Sequence, residues 1–199
     1  MIAHTAGMAN ASRRYLLFPV LILIALGLAG AARAQDARLA GRYAFTGTVS
    51  CLYALGGFAR NGVANSLAGA TSASFSSSGV LIFDGAGQGS GKFMLVGFDY
   101  PPSSTRDTQG ISMQFNYSVA SNGEVDFIAQ NLQGRFFAPG PLAGTTFTID
   151  QIRLHGWLAA SNRSLTLGST RSNAVTLTYA NGTAVPGVCA ISEVLLQTG

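Results

Sequence analysis

From Gly41 onward, hydrophobic positions recur at every second residue. Tyr43, Phe45, Val49 and Cys51 alternate with Ala44, Thr46, Thr48 and Ser50. Ile111, Met113, Phe115, Tyr117 and Val119 alternate with Ser112, Gln114, Asn116 and Ser118, and Val175, Leu177 and Tyr179 flank Thr176 and Thr178. A strand points successive side chains to opposite faces, so segments of this kind hide one face and wet the other. Antiparallel sheets have that sidedness, whereas parallel sheets covered on both faces read as unbroken apolar runs.

Turn chemistry falls between the runs. Asp84-Gly85-Ala86-Gly87 separates Val80–Phe83 from Lys92–Phe98, and Asn122-Gly123 joins the Phe115 strand to Val125–Ile128, a strong hairpin signal. Ser161-Asn162 divides Phe147–Leu158 from Leu165–Leu167, Asn181-Gly182 follows Tyr179, and a last run ends at Val194-Leu195-Leu196. The apolar phase slips among Phe147, Ile149, Ile152 and Leu154, which predicts a β-bulge near Asp150-Gln151. The Gly56–Ala70 stretch reads as a long loop, and Pro101-Pro102-Ser103-Ser104 and Pro139-Gly140-Pro141 as exposed connections. Beyond residue 34 no stretch sustains an i, i+3, i+4 apolar stripe, and 25 glycines in the chain disfavour long helices. The expectation is an all-β chain of about eight or nine strands in a single antiparallel meander. A closed up-and-down barrel and a two-sheet sandwich both accommodate it.

The first 34 residues stand apart. Arg13 and Arg14 precede the apolar Leu16–Leu28 run, and Ala32-Arg33-Ala34 offers a small-residue cleavage site before Gln35. This is the pattern of a secretory signal peptide, and the run is shorter than the ~20 residues a bilayer-spanning helix needs. Ser12-Arg13-Arg14-Tyr15-Leu16-Leu17 also fits a twin-arginine leader, which leaves the export route open. Residues 1–34 are therefore expected to be cleaved, and residues 35–199 to form one exported domain, periplasmic or extracellular.

Removing that leader alters the charge. Arg13, Arg14 and Arg33 leave with it, and nine basic residues remain against eight acidic ones. With no basic run left, the electrostatic footprint of nucleic-acid binding is absent. Cys51 and Cys189 are the only cysteines, and in an oxidising compartment they read most simply as one disulfide. Since bridged Cα atoms must lie within about 7 Å, the pairing brings the first and last strands together and tilts the choice toward a closed barrel.

Gly41-Arg42-Tyr43 at the head of the first strand, the meander and the single long bridge together resemble small calycin-like (lipocalin-type) secreted bacterial β-barrels. Those commonly open with Gly-x-Trp, and Tyr43 departs from that pattern. The resemblance implies a ligand cavity inside the barrel.

Catalytic chemistry is sparse. His155 and Lys92 are the only histidine and lysine beyond residue 34, so a zinc or copper centre, which needs several converging ligands, is not expected, and neither is a cofactor. Asp84 through Lys92 superficially suggests a phosphate loop, but Ala86 occupies its first glycine position and Phe93 follows the lysine. No Gly-x-Ser-x-Gly elbow accompanies His155, and Glu124 and Asp126, two apart on one strand face, read as a solvated acidic pair. The expected function is non-enzymatic: an exported barrel of unknown role that binds a small apolar ligand. Inward-facing Tyr43, Phe45, Phe115 and Tyr117 are the first candidates to line its cavity, although plain core filling is the plainer role for them. The alternatives are a structural or adhesive module that meets an envelope partner, and an outer-membrane barrel.

Overall fold

Period-two alternation dictates the architecture directly. In the computed structural model, residues 36–59, 64–66, 70–100, 106–137, 140, 142–171 and 173–199 are described. The leader, Pro101-Pro102-Ser103-Ser104, Pro139, Pro141 and parts of the Gly56–Ala70 loop lie outside them. Nine strand segments follow in order: β1 (Ala40–Tyr53), β2 (Thr71–Asp84), β3 (Gln88–Tyr100), β4 (Arg106–Val119), β5 (Glu124–Phe137), β6 (Thr146–Leu158), β7 (Ser164–Gly168), β8 (Asn173–Tyr179) and β9 (Ala184–Gln197). Each pairs antiparallel with its neighbours, and β9 pairs back onto β1 from Tyr43↔Gln197 to Tyr53↔Gly187. The sheet closes on itself instead of splitting into a sandwich, so its first and last strands hydrogen-bond to each other and leave no free edge there.

Eight positions make up the barrel, because β7 and β8 share one. β7 pairs with the far end of β6 (Trp157↔Thr166) and with β9 (Thr166↔Val194), and β8 pairs with the near end of β6 (Thr148↔Thr178) and with β9 (Val175↔Gly187). They are two halves of one interrupted strand. Side chains repair the ladder at the break. Asn173 Oδ1 accepts from the Arg153 amide at 2.7 Å and its Nδ2 donates to Ser169 Oγ at 2.8 Å, while Ser169 Oγ accepts from the Ile191 amide at 3.0 Å. These bonds stand in for backbone partners that a buried amide cannot do without.

The slip expected near Asp150-Gln151 is present, since Ile149 and Ile152 both turn inward. Pairing of β5 with β6 nevertheless keeps one register throughout, from Glu124↔Trp157 to Arg135↔Thr146. β5 carries a matching extra residue at Asn131, held at φ 53°, and the register shift falls on the other side of β5, against Ser112 and Gln114 of β4. The irregularity thus spans β5, β6 and the β7/β8 break at one level, bending that wall of the barrel.

Inside, the two ends differ. At the end where β1 begins, Tyr43, Phe83, Phe115, Tyr117 and Phe127 form a ring cluster with centroids 4.5–5.3 Å apart along Tyr43–Phe83–Phe115–Phe127, and Phe83–Tyr117 at 5.1 Å. The 36–39 turn caps this end. Leu39 is fully buried, Tyr117 Oη donates to the Leu39 carbonyl at 2.8 Å, and the Val119 amide donates to Asp36 Oδ1 at 2.9 Å. Tyr43 Oη donates to the Asn162 carbonyl at 2.6 Å, tying β1 to the β6–β7 turn. Burial pushes the Tyr117 phenol up to about 12, so it remains a hydrogen-bond donor at any physiological pH. Outward positions are mostly polar, as along Ser72, Ser74, Ser76 and Ser78 of β2.

Cys51 and Cys189 are bonded, with Cα atoms 4.1 Å apart and in direct register across β1 and β9. The bridge pins the strands that close the barrel. A disulfide of this kind fits the oxidising, exported compartment expected from the sequence.

Candidate functional site

Beyond the aromatic cluster the barrel is not filled. A cavity of about 200 Å³ extends from mid-barrel toward the end where β1 finishes and β9 starts. Val49, Phe75, Phe93, Leu95, Ile111, Met113, Ile152, Leu154 and Ile191 are among the side chains that wall it, and Cys51 and Cys189 contribute the disulfide. Tyr53, Thr71, Tyr179 and Leu142 of the β5–β6 connection line its outer part. Eight-stranded barrels have an interior that side chains just fill or that holds one small ligand, and here the two halves of the barrel do one each. An apolar cavity of roughly 150 Å³ can stay dry and take up a molecule the size of benzene. Wider depressions on the outer face, such as that between Lys92, Gly110, Gln133 and Phe137, are open to solvent.

Apart from Thr71 and the two tyrosines, two polar side chains break the apolar lining. Gln109 of β4 is buried and lies in the cavity wall. Glu193 of β9 is buried as well, with 8% of its surface exposed. Alternation places it on the inner face with Cys189, Ile191 and Leu195. Gly47, its β1 partner, makes the space: a Cβ there would fall 2.7 Å from Glu193 Cγ and against the Ser192 carbonyl oxygen. Over that gap Glu193 leans toward Ser77, the β2 residue in register with Gly47. Ser77 is near enough to favour the anion slightly, although its hydroxyl makes no regular hydrogen bond. Desolvation dominates and pushes the Glu193 carboxyl up to about 7.

The four aromatics expected to line a cavity all face inward, and all are buried. Three of them, Tyr43, Phe115 and Tyr117, belong to the aromatic cluster at the capped end, and Phe45 stands behind Phe93 at a centroid distance of 5.7 Å. None contributes to the cavity wall, because the void begins above the level that these rings fill. Strand alternation identified their face but not their height. Glu193 was missed although it carried a signal, being in phase with Cys189, Ile191 and Leu195.

His155, Glu124 and Asp126 do come together, on the outer surface. Cross-strand pairing sets Asp126 opposite His155, whose Nδ1 lies 3.0 Å from Asp126 Oδ1 and whose Nε2 lies 3.0 Å from Glu124 Oε1. The Asp126 hydrogen bond raises the imidazole above its ordinary value, with the charges of Asp126 and Glu124 adding to it. Each ring nitrogen is engaged by a carboxylate, so neither is free to draw a proton from a nucleophile. Among the described residues no group of three or more His, Cys, Asp or Glu side chains is arranged to hold a metal ion. The glycine-rich Asp84–Lys92 segment is the β2–β3 hairpin, where Asp84 Oδ1 accepts from the Ala86 and Gln88 amides at 2.7 and 2.9 Å.

No protein-family model matches the chain, and no curated protein is found similar to it.

Proposed function

We propose that this protein is an exported, non-enzymatic barrel that holds one small, largely apolar molecule in its interior. The cavity of about 200 Å³ beneath a capped and stapled barrel carries this reading. Its volume is below the ~300–1,000 Å³ typical of drug-sized sites, which points to a ligand of about one ring or a short chain. The calycin-like resemblance and the closed eight-position barrel support the same assignment. A lipid-facing barrel needs apolar residues outside and polar ones inside, and the polarity here runs the other way.

The test is titration of the oxidised domain with benzene, toluene and indole, followed by methyl resonances of Leu95, Ile111, Met113 and Ile152. Saturable shifts confined to these residues, and lost when Val175→Phe fills the void, are the expected result. Absence of saturable shifts with every probe refutes the reading.

A second reading has its own observation. Met94, Val96 and Phe98 on the outer face of β3 and Phe137 of β5 are exposed, Phe98 at 63%. An exposed apolar patch of this kind favours a surface partner, as an envelope structural or adhesive module would use. Self-association in gel filtration that is abolished by Phe98→Ser supports it, and a monomer throughout speaks against it.

A further inference from the structure

A carboxylate at the wall of an apolar void asks for a counter-ion. Glu193 faces Gly47 of β1, Ser77 of β2 and Leu167 of β7, its partners in register, and none of these carries charge. Among the described residues lining the cavity there is no Lys, Arg or His, and the only other groups that titrate are Tyr53 and Tyr179. Burying an ionised carboxylate without a partner is costly, and a pair of opposite charges sharing hydrogen bonds recovers much of that cost. Packing does not require the acid, since a neutral side chain of similar size fits over Gly47 equally well. Phe75, Phe93, Phe127 and Phe136 line the same void as Glu193, and aromatic faces attract a cation further.

We propose that the cavity accepts a small amphiphile with one protonated nitrogen, an arylalkylamine in chemical class, whose ammonium pairs with Glu193 while its hydrocarbon fills the apolar space. Gln109 offers a second polar contact in the same cavity wall. This proposal rests on the ligand-binding reading above and adds the sign of the ligand's charge. Where Glu193 is ionised, above about pH 7, an apolar acid of the same size is excluded, because two carboxylates would face each other without solvent.

The experiment compares 2-phenylethylamine, toluene and 3-phenylpropionate by calorimetry and by cavity methyl shifts on the oxidised domain. At about pH 8 the amine binds at least ~10-fold more tightly than toluene, and 3-phenylpropionate does not bind. Lowering the pH to about 6 protonates Glu193 and weakens amine binding by about tenfold, with toluene unaffected. Glu193→Gln removes the preference for the amine and keeps toluene binding. The pH profile is read on the parent chain, so it does not depend on how the variant folds. Toluene binding as tightly as the amine at about pH 8 overturns the charge assignment and leaves the apolar cavity standing. If none of the three binds, the ligand-binding reading fails and this proposal with it.

Discussion

Replacing Glu193 with glutamine is expected to stabilise the protein, and by an amount that depends on pH. The carboxyl releases its proton at about 7 in the folded chain, against 4.5 for an unperturbed glutamate. Below both values the group is neutral in the folded and unfolded states alike, and contributes no pH dependence. As pH rises through the window between them, the unfolded chain ionises first and the folded chain retains its proton, so the stability of the parent falls. One pKa unit corresponds to about 1.4 kcal/mol, and the full loss above about pH 7 is therefore about 3 kcal/mol. Against a typical folding free energy of about 5–15 kcal/mol, that is a large fraction. Glu193→Gln keeps the shape and abolishes the titration. Urea unfolding followed by Trp157 fluorescence measures the difference: near zero at about pH 4, rising to about 3 kcal/mol at about pH 8, or roughly 6–12 °C in Tm for a domain of this size. The titration of His155 cancels in this comparison, because both proteins carry it. Parallel pH profiles for parent and variant would show that Glu193 does not titrate in a desolvated site, and would refute the reasoning.

Three further outcomes are expected. Reducing the Cys51–Cys189 bond, or replacing both residues with serine, releases a loop of 138 residues and costs about 5 kcal/mol by chain entropy, seen as a lowered urea midpoint; an unchanged midpoint contradicts a closing role for the bridge. The His155 imidazole should titrate above 6.5, and Asp126→Asn should bring it back toward that value, as followed by the ring proton shifts in NMR. The stability this ion pair contributes is present at acid pH and is lost as pH rises through the raised imidazole value, so Asp126→Asn should destabilise the protein below about pH 6 more than above pH 8. Gly47→Ala drives a methyl into the Ser192 carbonyl and the Glu193 side chain; a loss of about 1–3 kcal/mol is expected by denaturation, and a neutral effect would mean that Glu193 does not lie over β1.

The architecture was readable because alternation is a local signal. Tyr43–Cys51 and Ile111–Val119 declare their buried faces without help from the rest of the chain, and Cys51 with Cys189 supplied the long-range constraint that tilted the choice toward a barrel. Height along the barrel axis is not local. Whether Phe115 or Ile111 borders the void depends on which end the 36–39 turn caps, and nothing in β4 itself records that. The slip in β6 was visible from Ile149 and Ile152, whereas its counterpart at Asn131 was concealed because Leu132, Gly134 and Phe136 resume alternation with weak hydrophobic contrast. Glu193 was obscured by its neighbours: Val194, Leu195 and Leu196 are apolar on both faces, which blurs the phase that assigns the carboxyl to the interior. Val194 and Leu196 show the same ambiguity from the other side, since both turn out to be exposed.

Placing the covalent seam between the first and last strands has a consequence for biogenesis. A growing polypeptide presents one thiol early and must lengthen by 138 residues before the other follows. Neighbouring hairpins are free to assemble as they emerge, but the seam, having the greatest separation along the chain, is the slowest contact to find. An oxidant that meets the nascent molecule too soon encounters a single sulfur, able to pair only with a thiol of another molecule. The oxidised intramolecular form thus requires that the two ends of the chain have met, as they do where β1 pairs with β9.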